Sequence, residues 1–110
     1  MASFVRGDVV VVPFPFSDLT DAKRRPALVL SKLEGDDLIL CQITSRALGD
    51  RYSISLQDQD FASGNLRHPS NIRPNRVFTA DQAIILYKAG NLRSRKFEEV
   101  VDRLVEILRN

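Results

Sequence analysis

The hydrophobic period of this chain changes once, at Ser94, and that single change most constrains its fold. Beyond it, Phe97, Val100, Val101, Leu104, Val105 and Leu108 fall on one stripe of a 3.6-residue repeat, which predicts an amphipathic helix. Ser94 is a candidate N-cap for it, and Glu99 and Arg103 stand at the i, i+4 spacing that supports an exposed helical face. Upstream, the chain reads as short β segments. The β-branched run Val9-Val10-Val11-Val12 predicts a strand that ends near Pro13, because Pro13 and Pro15 cannot continue it inside a sheet. Pro26–Ser31 and Leu38–Thr44 flank the turn signal Glu34-Gly35-Asp36-Asp37 and read as the arms of an antiparallel hairpin. Two-residue alternation in the second arm puts Ile39, Cys41 and Ile43 on one face and Leu40, Gln42 and Thr44 on the other.

Tyr52, Ile54 and Leu56 alternate with Ser53 and Ser55, as in a half-buried strand, and Gln57–Asn65 reads as a loop or short helical turn. Arg76–Phe78 and Ala83–Tyr87 are the last expected strands. Five or six short strands before one helix predict a mainly β domain, a strongly curved sheet or barrel with the helix packed on it. At 110 residues, 44% of them hydrophobic, the chain suits one core spanning residues 1–110. It carries no internal repeat or linker composition.

Several chemistries are disfavoured. Cys41 is the only cysteine and sits in the apolar run Leu38–Ile43, so neither a disulfide nor a thiolate metal site is expected. The sequence holds no C-x-x-C pair, no H-E-x-x-H, no P-loop and no dinucleotide glycine fingerprint, and no cofactor or metal is expected. No apolar stretch approaches a membrane span, and the start of the chain has no secretory character, so a cytoplasmic protein without membrane contact is expected. His68 is the one histidine; a general base in a basic loop and an ordinary surface residue are both open to it.

Sixteen basic residues against fourteen acidic ones leave a formal charge of +2, which says little until its distribution is read. Between Arg67 and Lys96, seven basic residues meet one acid, Asp81, a stretch suited to a polyanion or to a solvated rim. Pro26 biases Arg25 toward an extended backbone at the entry of a strand, and a guanidinium fixed there matches phosphate oxygens. An exposed arginine paired with Asp18 or Asp21 is the alternative. Thr44, Ser45 and Arg46 lie just past a strand end, where hydroxyls reach either a bound phosphate or nearby backbone.

Four segments, Arg6-Gly7-Asp8-Val9-Val10, Arg25-Pro26-Ala27-Leu28-Val29-Leu30-Ser31, Ile43-Thr44-Ser45 and Asp81-Gln82, together resemble the MazF/PemK family of toxin–antitoxin endoribonucleases over nearly the whole chain. The resemblance implies an SH3-like barrel with a C-terminal helix, acting as a homodimer whose RNA groove lies across or beside the subunit interface. It implies cleavage of single-stranded RNA without a metal, by attack of the ribose 2′-hydroxyl, leaving a 2′,3′-cyclic phosphate and a 5′-hydroxyl. By it Arg25 and Thr44 are the catalytic positions, and Arg24, Ser45, Arg46, Arg73, Arg76, Gln82 and Lys88 are expected RNA contacts. The loops Ser17–Arg24 and Ala47–Tyr52 are expected to set the recognised sequence. A cognate antitoxin with a flexible, acidic tail is the expected partner. The chain departs from the family in having Ala83, where many members have a basic residue, and Pro13-Phe14-Pro15-Phe16 near its start. A non-catalytic RNA-binding or protein-interaction module of the same fold is the alternative.

Overall fold

All four valines of the run Val9–Val12 are buried, at 0–5% exposure, because the sheet they enter is curled and covered on both sides. The structure, a computed structural model, describes residues 3–14 and 23–110. Its elements are strands β1 (Asp8–Phe14), β2 (Lys23–Lys32), β3 (Asp37–Thr44), β4 (Ile54–Leu56), β5 (Phe61–Gly64), β6 (Ser70–Asp81) and β7 (Tyr87–Leu92), then helix α1 (Ser94–Arg109). The strands form one antiparallel seven-stranded sheet in the order β4-β6-β3-β2-β1-β7-β5. This half-closed sheet with one C-terminal helix is the mainly β architecture expected from the sequence.

One face of the sheet carries Val9, Leu28, Cys41, Ile43 and Ile72, which pack with Phe97 and Val100 of α1. The opposite face carries Val10, Val12, Ala27, Val29, Leu38 and Leu40, covered by Phe4 and flanked by Ile84 and Ile85. Alternation therefore holds along β3 as expected, but both of its faces are apolar up to Cys41. Cys41 is fully buried, and burial pushes its thiol up to about 12. At pH 8 only about one thiol in ten thousand would be ionised. Native protein is accordingly expected to resist a thiol-specific alkylating reagent until denaturant is added; rapid native labelling would contradict the packing of β3.

Several elements depart from the sequence reading. Gln57–Asn65 contains a short 3-10 turn, Asp58–Asp60, and then β5, which among the described residues is an edge strand paired with β7. β4 is limited to Ile54–Leu56, while β2 begins at Lys23. β6 is much longer than Arg76–Phe78; its pairing jumps from Cys41↔Val77 to Gln42↔Arg73, so residues 74–76 bulge out at Pro74, where a sheet hydrogen bond could not form. Ala83–Tyr87 is not a strand. The Asp81 carboxylate accepts the Ala83 amide at 2.8 Å and folds Gln82–Ile84 into a 3-10 turn, postponing β7 to Tyr87.

In α1 the N-cap is Arg93, whose carbonyl accepts the Phe97 amide; Ser94 is already helical, one residue too late to cap. Glu99 pairs with Lys96 at 3.0 Å rather than with Arg103, which instead donates to the carbonyls of Arg51 and Tyr52. No helix among the described residues is long and apolar enough to cross a membrane. Asp18 and Asp21, the alternative partners for Arg25, and most of the loop Ser17–Arg24 lie outside the described residues.

Candidate active site

β2 and β3 run antiparallel with Ala27 opposite Gln42, and β3 pairs with β6 with Gln42 opposite Arg73. Stepping two residues along each strand keeps Arg25 and Thr44 on the face of Ala27 and Gln42. Farther in, that face is the apolar core around Val29 and Leu40; at the strand ends the residues turn polar. Arg25, Gln42, Thr44, Arg46 and Arg73 line one cavity of about 240 Å³ there, together with Pro26 and Ile43. It has no carboxylate among its described lining residues.

Each member is held in a recognisable way. Arg25 sits opposite Val12 of β1, extended ahead of Pro26, with its side chain exposed. Thr44 Oγ1 accepts the Arg46 amide at 3.2 Å, a short turn that leaves the hydroxyl proton available to an incoming acceptor. Asn71, opposite Thr44 on β6, donates to the Arg46 carbonyl at 3.0 Å and pins that turn. The hydroxyl thus does bond local backbone, as the alternative reading allowed, without losing its capacity to donate. Arg73 Nε is buried, and no group among the described residues accepts from it. Among those residues, Arg25, Arg46 and Arg73 form no ion pair within 4.0 Å.

Among the described residues, Asp50 feels the charge of Arg73. Its carboxylate accepts the amides of Tyr52 at 3.0 Å and Ser53 at 2.9 Å. The Ser53 backbone amide foremost, with lesser help from the Tyr52 amide, the Ser53 hydroxyl and the Arg73 charge, holds Asp50 below the usual carboxylate range. Asp50 and Arg103 together fix the end of the loop Ala47–Tyr52 against α1.

A second cavity, of about 280 Å³, shares Arg25, Pro26, Ile43 and Thr44 with the first. Arg24 and Ser45 line it, together with Leu66, Arg67, His68 and Tyr87, none of which except His68 stood out in the sequence as a site residue. Leu66 and Tyr87 carry no chemical signal of their own; only the pairing of β1 with β7, which sets Val11 opposite Tyr87, brings the ring here.

Three expected contacts lie elsewhere. Arg76 is exposed on the β6 bulge and lines neither cavity. Gln82 and Lys88 line a separate cleft with Asp36 and Asp81. There the Gln82 side chain donates to Asp36 at 3.2 Å, its amide donates to the Asp36 carbonyl at 2.8 Å, and Lys88 pairs with the buried Asp8 at 3.2 Å. Asp8 also accepts the Val5 amide at 3.0 Å, so the Arg6-Gly7-Asp8 segment serves to anchor β1 and β7. Among the described residues no three His, Cys, Asp or Glu side chains gather as a metal site would require.

Comparison with known proteins follows the fold closely. The family model described as a PemK-like, MazF-like toxin of a type II toxin–antitoxin system matches residues 5–108. The crystal structure of MazF (Form-I) from Deinococcus radiodurans superposes with a TM-score of 0.77 at 22% identity, covering 100% of both chains. An endoribonuclease in complex with its cognate antitoxin, from a mycobacterial species, superposes with a TM-score of 0.76 at 12% identity over 96% of this chain and 95% of that one. The MazE–MazF (Form-II) structure from Deinococcus radiodurans gives 0.74 at 24% identity, covering 94% of each chain. A search of curated proteins by sequence gives no match.

Proposed function

Because the chain belongs to the PemK-like, MazF-like toxin family of type II toxin–antitoxin systems, we propose that its arginine-lined cavity cleaves single-stranded RNA. The observation that carries this reading is the gathering of Arg25, Arg46 and Arg73 with Thr44 around one cavity that no carboxylate lines among the described residues. Three guanidinium groups gathered around one cavity suit a phosphodiester, and they suit its transition state better, where a second negative charge develops.

The reaction needs little from the protein. The substrate's 2′-oxygen attacks the adjacent phosphorus, an O2′–P bond forms, the P–O5′ bond breaks, and the 2′-hydroxyl proton leaves as O5′ gains one. The products are a 2′,3′-cyclic phosphate and a 5′-hydroxyl end. Since the nucleophile is already tethered to the reacting centre, alignment and charge stabilisation supply most of the acceleration, and no metal is required. We assign charge stabilisation to Arg25, supported by Arg73 and Arg46, and orientation of the scissile phosphate to the Thr44 hydroxyl. Arg25 is assigned charge stabilisation alone and no role as a base. DNA, lacking the 2′-hydroxyl, is not a substrate.

Two mycobacterial chains of this fold are described as endoribonucleases, and one of them is bound to its cognate antitoxin. By analogy we propose an antitoxin partner for this chain, whose acidic, flexible tail competes with RNA for the same cations, and a homodimer as the working form. The test is incubation of the purified protein with a long single-stranded RNA in EDTA. New 5′-hydroxyl ends at recurring short sites, with single-stranded DNA untouched, are expected; salt-sensitive RNA binding with no new ends would leave a binding module.

A further inference from the structure

We infer that the second cavity beside Arg25 and Thr44 is a nucleobase subsite, in which Tyr87 and His68 grip the base flanking the scissile phosphate. The inference rests on the RNA-cleavage reading of the neighbouring arginine cavity and specifies how the substrate is held. Both cavities share Arg25 and Thr44, so a phosphate placed on those residues would have its own nucleoside next to the second opening.

The two cavities differ in chemistry. The first is lined by guanidinium, amide and hydroxyl groups. The second adds a tyrosine ring, an imidazole and the apolar side chains of Val11 and Leu66. At about 280 Å³ it lies near the low end of small-molecule sites, a size for one nucleoside and not for a run of bases. Aromatic faces bind bases by stacking, and the adjacent Arg24 and Arg67 suit the flanking phosphates.

Its walls are prearranged. Leu66 packs against the core beneath α1. The buried hydroxyl of Ser70 donates to the His68 carbonyl at 2.9 Å, fixing the backbone that carries the imidazole. Tyr87 is held by β7 pairing with β1, yet the residue is 52% exposed, which leaves it accessible to a ligand in the cavity it lines. Selection of the cleaved sequence therefore depends on the 66–70 segment and Tyr87. No residue of the loop Ala47–Tyr52, expected from the sequence to share that task, lines either cavity.

The test compares wild type with Tyr87→Ala and His68→Ala, both at exposed positions, on a pool of random-sequence RNA, reading nucleotide preference at every position around the cut. Loss of preference by about tenfold at one position flanking the cut, with other positions unchanged, is expected. A slower cut with all preferences intact would overturn the inference, since a merely structural role has that signature. A second measurement stands apart from cleavage: titration of labelled protein with the four nucleoside 3′-monophosphates and inorganic phosphate, followed by the Tyr87 and His68 ring resonances. Ring shifts that depend on the base support the subsite even if no RNA is cut. Shifts identical for all four nucleotides and for phosphate alone overturn it, while leaving the arginine cavity as an anion site.

Discussion

Arg25→Ala is expected to lower RNA cleavage by about 10²–10³-fold, the loss typical of removing one preorganised group from a developing oxyanion. The fold should survive, because the Arg25 side chain is exposed and makes no ion pair among the described residues. Its backbone pairing with Val12 does not depend on the guanidinium. A surface change of this kind is expected to shift stability by no more than about 0.5 kcal/mol. Arg25→Lys keeps the charge but not the planar fork and should recover only part of the loss. Thr44→Ser, which keeps the hydroxyl that accepts the Arg46 amide, should retain far more activity than Thr44→Val. Undiminished cutting by a folded Arg25→Ala variant would move the chemistry away from this cavity.

Gly64→Ala is expected to be the most destabilising small substitution in the sheet. Gly64 lies directly opposite Gly90 where β5 meets β7, and it has a φ of +76°. A Cβ there would stand 2.1 Å from the Ala89 carbonyl oxygen and 2.6 Å from the Gly90 Cα, both rigid backbone atoms. The strands would have to part, and β5 would then release Phe61 from the core beneath α1. A loss of roughly 3 kcal/mol or more is expected, which lowers Tm by about 12 °C or more for a domain of this size. Gly49→Ala is the control: nothing lies within 4 Å of its Cβ position, and its stability should be nearly unchanged. Equal melting temperatures for the two variants would contradict the β5–β7 contact.

The elements most legible in the sequence were those whose signals are local. The β-branched run of β1, the turn signal between β2 and β3, and the helical stripe containing Phe97 and Val100 each need no distant partner to be recognised. β5 escaped because Phe61 is the only large apolar residue in a polar stretch, and its strand is formed by pairing with the distant Gly90, Asn91 and Leu92 of β7. Ile84 and Ile85 read as strand residues, yet they flank the second core from within and just after a turn that Asp81 and Asp36 impose. The site divides along the same line. Arg25 and Thr44 stood out as strand-end residues of a hairpin that could be read from its turn. Arg73 joins them only through the bulge in β6, and Tyr87 and Leu66 approach only once the sheet has curled; no local pattern encodes either event. Gln82 and Lys88 were expected as RNA contacts, but partners distant in sequence, Asp36 and Asp8, engage them in a separate cleft.

The most direct test of the central claim uses a short synthetic RNA containing one mapped cleavage site, incubated with the protein in EDTA. A matched RNA with a single 2′-deoxy substitution at the cleaved nucleotide is run beside it. The account predicts a 2′,3′-cyclic phosphate on the 5′ fragment of the first RNA and no cut at that position in the second. Cleavage of the deoxy-substituted bond, or dependence on an added divalent metal, would contradict a mechanism in which the substrate supplies its own nucleophile and the arginines supply the charge.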